Sequence, residues 1–324
     1  MEALIGRGWR VLAAFAALLT TALALSACGG SGSSGSATAA TSKGITVKAA
    51  QFTWAAAAVT NAILQDVASA HPELGVARIQ SKTLDPAPAW VGAARGDVDL
   101  LTEVALPNQQ PLYEKAKSRI DLVSKTYGGA GQGWFVPSYA VAPGGPLAGL
   151  TSVTQLDKYK SALGGKLYDG APGWISTQQN DQRLKGYGVG FQHVTSSEAA
   201  ELAQLKRAYD AKRPILLYLY HPHWVFAHYK LTQLEEPNAY KPDCFTSGNG
   251  ACAMAPYAAW TAASKDLAKK APRFVAMLER FRIPIADMEQ MLKAVSQDHE
   301  APAAVAKRWV DQHKSAIDAW TASP

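Results

Sequence analysis

Apolar and polar residues follow two different periods along this chain. Residues 44–49, Gly-Ile-Thr-Val-Lys-Ala, alternate as a half-buried strand does. Trp54 then opens a stretch in which Val59, Ile63 and Val67 recur every fourth residue, which predicts a helix ended by His71-Pro72. Residues 76–79 predict a second strand, and residues 96–101 (Gly-Asp-Val-Asp-Leu-Leu) a turn into a third. Residues 134–141 read as an extended run. Residues 198–211 predict a helix capped by Ser196 or Ser197, with Leu202, Leu205 and Tyr209 on one face. Residues 214–220 form an apolar run that fits a buried strand. From Lys265 onward the pattern is helical, in pieces separated by Pro284 and Pro302. Strands that alternate with helices predict an α/β fold.

The first 42 residues follow neither period. Residues 1–10 carry Arg7 and Arg10, and residues 11–25 are apolar apart from Thr20 and Thr21; Ser26-Ala27-Cys28 follows. A basic head, an apolar stretch of about 15 residues and small residues at its end describe a secretory signal. That stretch is shorter than the roughly 20 residues needed to span a bilayer. Its end resembles the bacterial lipobox. The resemblance implies a signal peptide over residues 1–27 and a diacylglycerol on the Cys28 thiol, which would anchor the chain outside the cytoplasmic membrane. An ordinary secretory signal with a chance cysteine is the plainer alternative. Residues 28–42 are almost all Gly, Ser, Ala and Thr, the composition of a flexible tether.

Composition narrows the rest. Residues 43–324 suffice for one large domain or two lobes. The formal charge is +6, yet Lys and Arg never run five together, so the basic excess reads as solvated surface and not as a nucleic-acid site. If lipid consumes Cys28, Cys244 and Cys252 remain, flanking a polar, Gly-rich loop. In an oxidising exterior a disulfide between them is favoured over free thiols. No Gly-x-Ser-x-Gly and no His-Glu-x-x-His occurs, and the Gly-rich stretch 128–133 lacks the Lys-Ser/Thr ending of a phosphate-binding loop. Catalysis is therefore not expected. The main rival is metal binding. His221, His223 and His228 lie within one short segment, and on a strand the first two would share a face, as two zinc ligands should.

Six segments, in order, resemble the glycine betaine/proline betaine-binding proteins of ATP-binding-cassette importers. They are Gly96-Asp-Val-Asp99, Glu103-Val-Ala-Leu-Pro107, Gly133-Trp-Phe-Val-Pro-Ser-Tyr139, Pro172-Gly-Trp174, Pro222-His-Trp224 and a helical tail carrying Arg308-Trp309 and Ala319-Trp320. The resemblance implies a type II periplasmic-binding-protein fold: two α/β lobes joined by two crossover strands, near residues 136–141 and 251–259. Lobe one would hold residues 43–137 and 253–324, and lobe two residues 138–252. The implied molecule is a monomeric receptor without cofactor. It would bind a small quaternary-ammonium solute such as glycine betaine, proline betaine or carnitine. It would deliver that solute to an ABC permease driven by a cytoplasmic ATPase, in osmoprotection or nutrition.

The ligand class sets what the site must contain. A quaternary ammonium has no N–H to donate, so aromatic faces hold it, each worth roughly 0.5 to 2 kcal/mol. The resemblance places a cage at Trp54, Trp174 and Tyr220, with Trp134 and Trp224 as further contacts. The N–H groups of Ile175, Ser176 and Thr177, just after the Trp174 turn, suit a betaine carboxylate; the Ser176 and Thr177 hydroxyls could add to them, and His223 could add a charge-assisted bond. Core packing is the commoner fate of tryptophan, and Trp260, Trp309 and Trp320 are read that way. Two departures stand out. Ala105 occupies a position where many relatives carry a cage aromatic, so either a bulkier ligand such as proline betaine, carnitine or an aromatic-bearing amine fills that space or Trp90 or Trp134 supplies the wall. Ala55 and Ala56 follow Trp54, near which the choline-specific branch places an Asp.

Overall fold

The computed structural model describes residues 44–322. The signal segment, Cys28 and the tether lie outside the described residues. Strand β1 (Ile45–Gln51) buries Val47 and Ala49 and exposes Thr46 and Lys48, as its alternation requires. It pairs in parallel with β2 (Val76–Thr83) and β3 (Leu100–Leu106). Strand β4 (Ile120–Ala130) ends the outward path of the chain through this sheet. The second sheet holds β5 (Gln132–Pro137), β6 (Lys166–Asp169), β7 (Gln192–Thr195), β8 (Leu217–Tyr220) and β9 (Leu231–Gln233) in the order β7-β6-β8-β5-β9. Strand β10 (Tyr257–Ser264) then returns to the first sheet, antiparallel between β3 and β4, and gives the order β2-β1-β3-β10-β4. The α/β class and the pair of passages between two lobes are as expected.

Each sheet has a core on both faces, which is why central strands such as β3 and β8 read as apolar runs. On one face of the first sheet, the helix Ala55–Ala70 sets Val59, Ile63, Leu64 and Val67 against the C-terminal helices, where Trp309 and Trp320 are also packed. On the other face Trp90 packs with Leu101, Val104 and Ile120. In the second sheet β5 is buried along its whole length. Trp134 and Val136 enter one core while Phe135 enters the opposite one, the period of two expected of a strand.

The outward passage between sheets differs from expectation. It falls at Gly131, between β4 and β5, and not at residues 136–141. Residues 134–137 are a central strand paired to β8 and β9, and Ser138–Val141 is a turn of helix. An apolar extended run has the same sequence character in either role; only its pairing separates them. The return passage lies at Ala255-Pro256, since Met254 still packs in the second core and Tyr257 opens β10.

Cys244 and Cys252 form a disulfide, both buried, across a loop of the second lobe. Gly250 sits in that loop at φ 76°, and a side chain there would strike the Gln182 backbone at 2.8 Å. Closing a loop this short (sequence separation 8) should stabilise the fold by about 2 to 3 kcal/mol on chain entropy. The Cys244→Ser/Cys252→Ser protein is therefore expected to unfold at lower urea. An identical midpoint would remove the disulfide from the stabilising contacts.

Candidate ligand-binding site

A cavity of about 500 Å³, including its mouth, lies between the lobes and takes its walls from both. Three aromatic walls come from element ends. Trp54 is the N-cap of the helix Ala55–Ala70, Trp174 is the N-cap of the helix Ile175–Gly186, and Tyr220 is the last residue of β8. Trp174 meets Trp54 edge-on, with ring centroids 5.6 Å apart and planes at 88°. It meets Tyr220 at 5.9 Å and 78°. Rings at right angles make a box corner. Phe52 stacks on Trp54 at 4.5 Å and supports it from behind. The Trp174 indole donates to Thr53 Oγ1 at 2.6 Å, fixing this wall of one lobe to the other. Gly170 leaves room for its ring, since a Cβ there would fall 2.5 Å from it. Gly173 likewise lets the Pro-Gly turn approach Asp85 of the first lobe.

Three further aromatic walls were not anticipated from the sequence: Tyr127 on β4, Tyr218 on β8 and Tyr257 on β10. Burial raises the pKa of each hydroxyl, so all three stay neutral. Together with Tyr220 and Ala105 they line the cavity. Trp90 and Trp134 do not take that role. Trp90 is buried beside the site and donates to Gln109 Oε1 at 2.7 Å.

Glu103 is the charged group of the cavity and is 2% exposed. The register of β3 against β10 shifts between Trp260 and Ala262, and Glu103 sits in that bulge at φ 59°. Bulges re-aim a side chain, and a non-glycine residue in the left-handed region holds strain that its surroundings must sustain. Desolvation pushes the Glu103 pKa up to about 7, against hydrogen bonds from the Tyr127 hydroxyl and Thr60 Oγ1. A polar wall stands nearby. Gln132 Nε2 donates to Asn108 Oδ1 at 3.1 Å and to the Ala255 carbonyl at 2.7 Å. Its Oε1 accepts from Asn108 at 3.1 Å and from Tyr218 at 2.7 Å. One side chain thus ties together both passages between the lobes.

Of the residues singled out in the sequence, Trp54, Trp174, Ile175, Ser176 and Tyr220 line the cavity. Trp134, Trp224 and His223 do not. Trp134 is fully buried in the second lobe, with its N–H on Asn180 Oδ1 at 2.8 Å and the Arg183 guanidinium 4.3 Å above its ring. Trp224 lines a separate, outer groove between the lobes. His223 is buried behind Tyr220, its Nε2 3.3 Å from Glu198 Oε1. The histidine segment does not converge either. His221 stacks on Phe226 and stands 3.5 Å from Glu289, while His228 packs edge-on against Tyr229. Strand β8 ends at Tyr220, so the alternation that would have aligned His221 with His223 stops before them. Among the described residues no group of three or more His, Cys, Asp or Glu could hold a metal ion.

Residues 45–312 match the OpuAC family, described as the substrate binding domain of ABC-type glycine betaine transport system. Over 132 residues the chain is 30% identical to the glycine betaine/carnitine transport binding protein GbuC of Listeria monocytogenes. That match spans 40% of this chain and 39% of the length of that relative. Among solved structures, an ABC-transporter choline binding protein in complex with choline aligns at TM-score 0.72 and 21% identity, over 85% of this chain and 91% of that one. Lactococcal OpuAC, in a closed-liganded conformation complexed with glycine betaine, aligns at TM-score 0.71 and 23% identity, over 86% of this chain and 99% of that one. These likenesses establish the type II periplasmic-binding-protein fold. With the family match over most of its length, the chain belongs to the OpuAC family of substrate-binding domains, which are binding proteins and not enzymes.

Proposed function

We propose that this protein captures a quaternary-ammonium compatible solute (glycine betaine, proline betaine, carnitine or a close analogue) outside the cytoplasmic membrane. It hands that solute to an ABC permease driven by a cytoplasmic ATPase. On this reading a lipid on Cys28 holds it at the membrane, and it acts as a monomer without cofactor. The observation that carries the reading is an aromatic box, drawn from both lobes, around one buried carboxyl. Methylated ammonium groups offer no donor. They are held by quadrupolar ring faces at roughly 0.5 to 2 kcal/mol each, more where water is excluded. Trp54, Trp174 and Tyr220 supply such faces, and Glu103 supplies the countercharge. At the far end of the ligand, the first N–H groups of the helix Ile175–Gly186 and the Ser176 hydroxyl suit a carboxylate. Ala105 and the tyrosine side leave space for a headgroup bulkier than trimethylammonium.

Two outcomes follow from this chemistry. Trp174→Ala should weaken glycine betaine binding by at least about tenfold in calorimetric titration, since a face contributes roughly 0.5 to 2 kcal/mol and its loss also unpins Thr53. Unchanged affinity would separate the box from the ligand. The second concerns pH. A carboxyl whose pKa is raised to about 7 keeps in the folded state a proton that the unfolded chain releases from its usual value near 4.5. Stability of the ligand-free protein should therefore fall as pH rises from about 4.5 towards 7. A cationic ligand favours the ionised form. Its dissociation constant should drop by about tenfold from pH 6 to pH 8, with proton release on binding. Glu103→Gln should flatten that profile, and a profile already flat in the wild type would remove Glu103 from the ligand.

A further inference from the structure

We infer that Thr53 is a positioning residue: its hydroxyl, with Asp85 on the neighbouring segment, seats the Pro172-Gly-Trp174 turn of the second lobe on the first lobe and sets how long a ligand stays in the box. The inference rests on the binding site proposed above. Thr53 lies in the first lobe, between β1 and the helix Ala55–Ala70. Its Oγ1 accepts the Trp174 indole N–H at 2.6 Å. It lines the outer groove and not the ligand cavity, so it acts on a ligand only through Trp174. Its neighbours in sequence, Phe52 and Trp54, stack on each other. One hydroxyl thus holds two cage walls, Trp54 and Trp174, in their edge-on arrangement. The Asp85 segment runs alongside, since the Leu84 N–H donates to the Gln51 carbonyl at 3.0 Å.

The turn is held firmly within its own lobe. The Trp174 N–H donates to the Ala171 carbonyl at 2.9 Å, and the Gly170 N–H donates to Asp169 Oδ1 at 2.7 Å. Its contacts with the first lobe are therefore the ones that closure makes and opening breaks. Gly173 shows how close the fit is. A Cβ there would stand 2.2 Å from Asp85 Oδ2 and 2.8 Å from Asp85 Cβ, and the three atoms nearest to it all belong to Asp85. Gly173 is not in the left-handed region, so its missing side chain serves the fit between lobes and not the turn itself. Asp85 is the N-cap of the helix Pro86–Arg95 but makes no side-chain cap, and it meets the turn as a packing surface. Contacts completed after the ligand has entered slow its release more than they hasten its arrival. Closing the lobes and squaring the aromatic box become a single event.

The test uses Thr53→Val, Thr53→Ser, Gly173→Ala and the pair Gly173→Ala/Asp85→Gly, with glycine betaine as the probe in stopped-flow tryptophan fluorescence. Thr53→Val keeps the shape and removes the acceptor. It should raise the glycine betaine dissociation rate about fivefold, the scale of one neutral hydrogen bond, with association little changed. Thr53→Ser, which keeps the hydroxyl, should release at the wild-type rate. Gly173→Ala should raise the rate by about tenfold or more, as a methyl forced into a filled space does. Adding Asp85→Gly removes the atoms it strikes, and glycine is tolerated at an N-cap, so the pair should return to within about threefold of wild type. An unchanged rate in Thr53→Val, a Gly173→Ala defect that Asp85→Gly does not relieve, or association slowed as much as release is quickened would overturn the seat. The indole N–H proton resonance of Trp174, identified by its loss in Trp174→Phe, tests the bond apart from affinity. With or without glycine betaine, Thr53→Val must move it upfield, as a broken hydrogen bond requires, while Thr53→Ser leaves it in place. A resonance unmoved by Thr53→Val in both conditions would also overturn the seat. A wild type that ignores glycine betaine would count against the proposed ligand, and the resonance would then decide the seat alone.

Discussion

A carboxyl buried between two lobes sets the terms for the rest of this structure. Removing an ionised group from water is costly unless it is paired, and Glu103 meets hydrogen-bond donors but no cation among the described residues. Its environment is therefore poised between a proton and a positively charged guest. The bulge in β3 puts it there, at a backbone conformation that few side chains tolerate. The strands on either side, β10 and β1, hold that conformation in place. Around it the surfaces are ring faces and neutral tyrosines, which attract a diffuse cation and give a metal ion no ligand set.

The same economy governs the passages between lobes. Gln132 sits one residue after the outward crossing and bonds to Ala255 on the return crossing. It also holds Asn108 from the first lobe and Tyr218 from the second. All of its polar atoms are satisfied inside the protein. That wall of the cavity is satisfied by its own contacts, which on the proposed reading leaves recognition to the aromatic box, Glu103 and the helix start at Ile175.

The sequence revealed the architecture and half of the cavity's aromatic walls, for physical reasons that can be traced. Trp54 and Trp174 stand at N-caps and Tyr220 at a strand end, and element ends are where a cleft between α/β lobes finds its lining. Tyr127, Tyr218 and Tyr257 are strand residues, and nothing local distinguishes a strand tyrosine facing a cavity from one facing a core. Glu103 belonged to a recognisable segment, but its role depends on a bulge formed against β10, more than 150 residues away in sequence. Trp134 and Trp224 failed in the opposite direction. Both lie in segments that resemble the family, yet pairing turned the first into core and a helical turn set the second in the outer groove. Residues 134–141 also carried too little signal to separate a crossing from a central strand.

The central claim is that positive charge, and not shape alone, is what the box recognises. The most direct measurement compares glycine betaine with 3,3-dimethylbutyrate by calorimetric titration at pH 8. The two share a carboxylate and a branched methyl head, but only the first carries a cationic centre. Ring faces worth roughly 0.5 to 2 kcal/mol each, added to an ionised Glu103, predict that the betaine binds at least about thirtyfold more tightly. Equal affinities would mean that the cavity selects a bulky apolar head, and the cation-binding account of this protein would be contradicted.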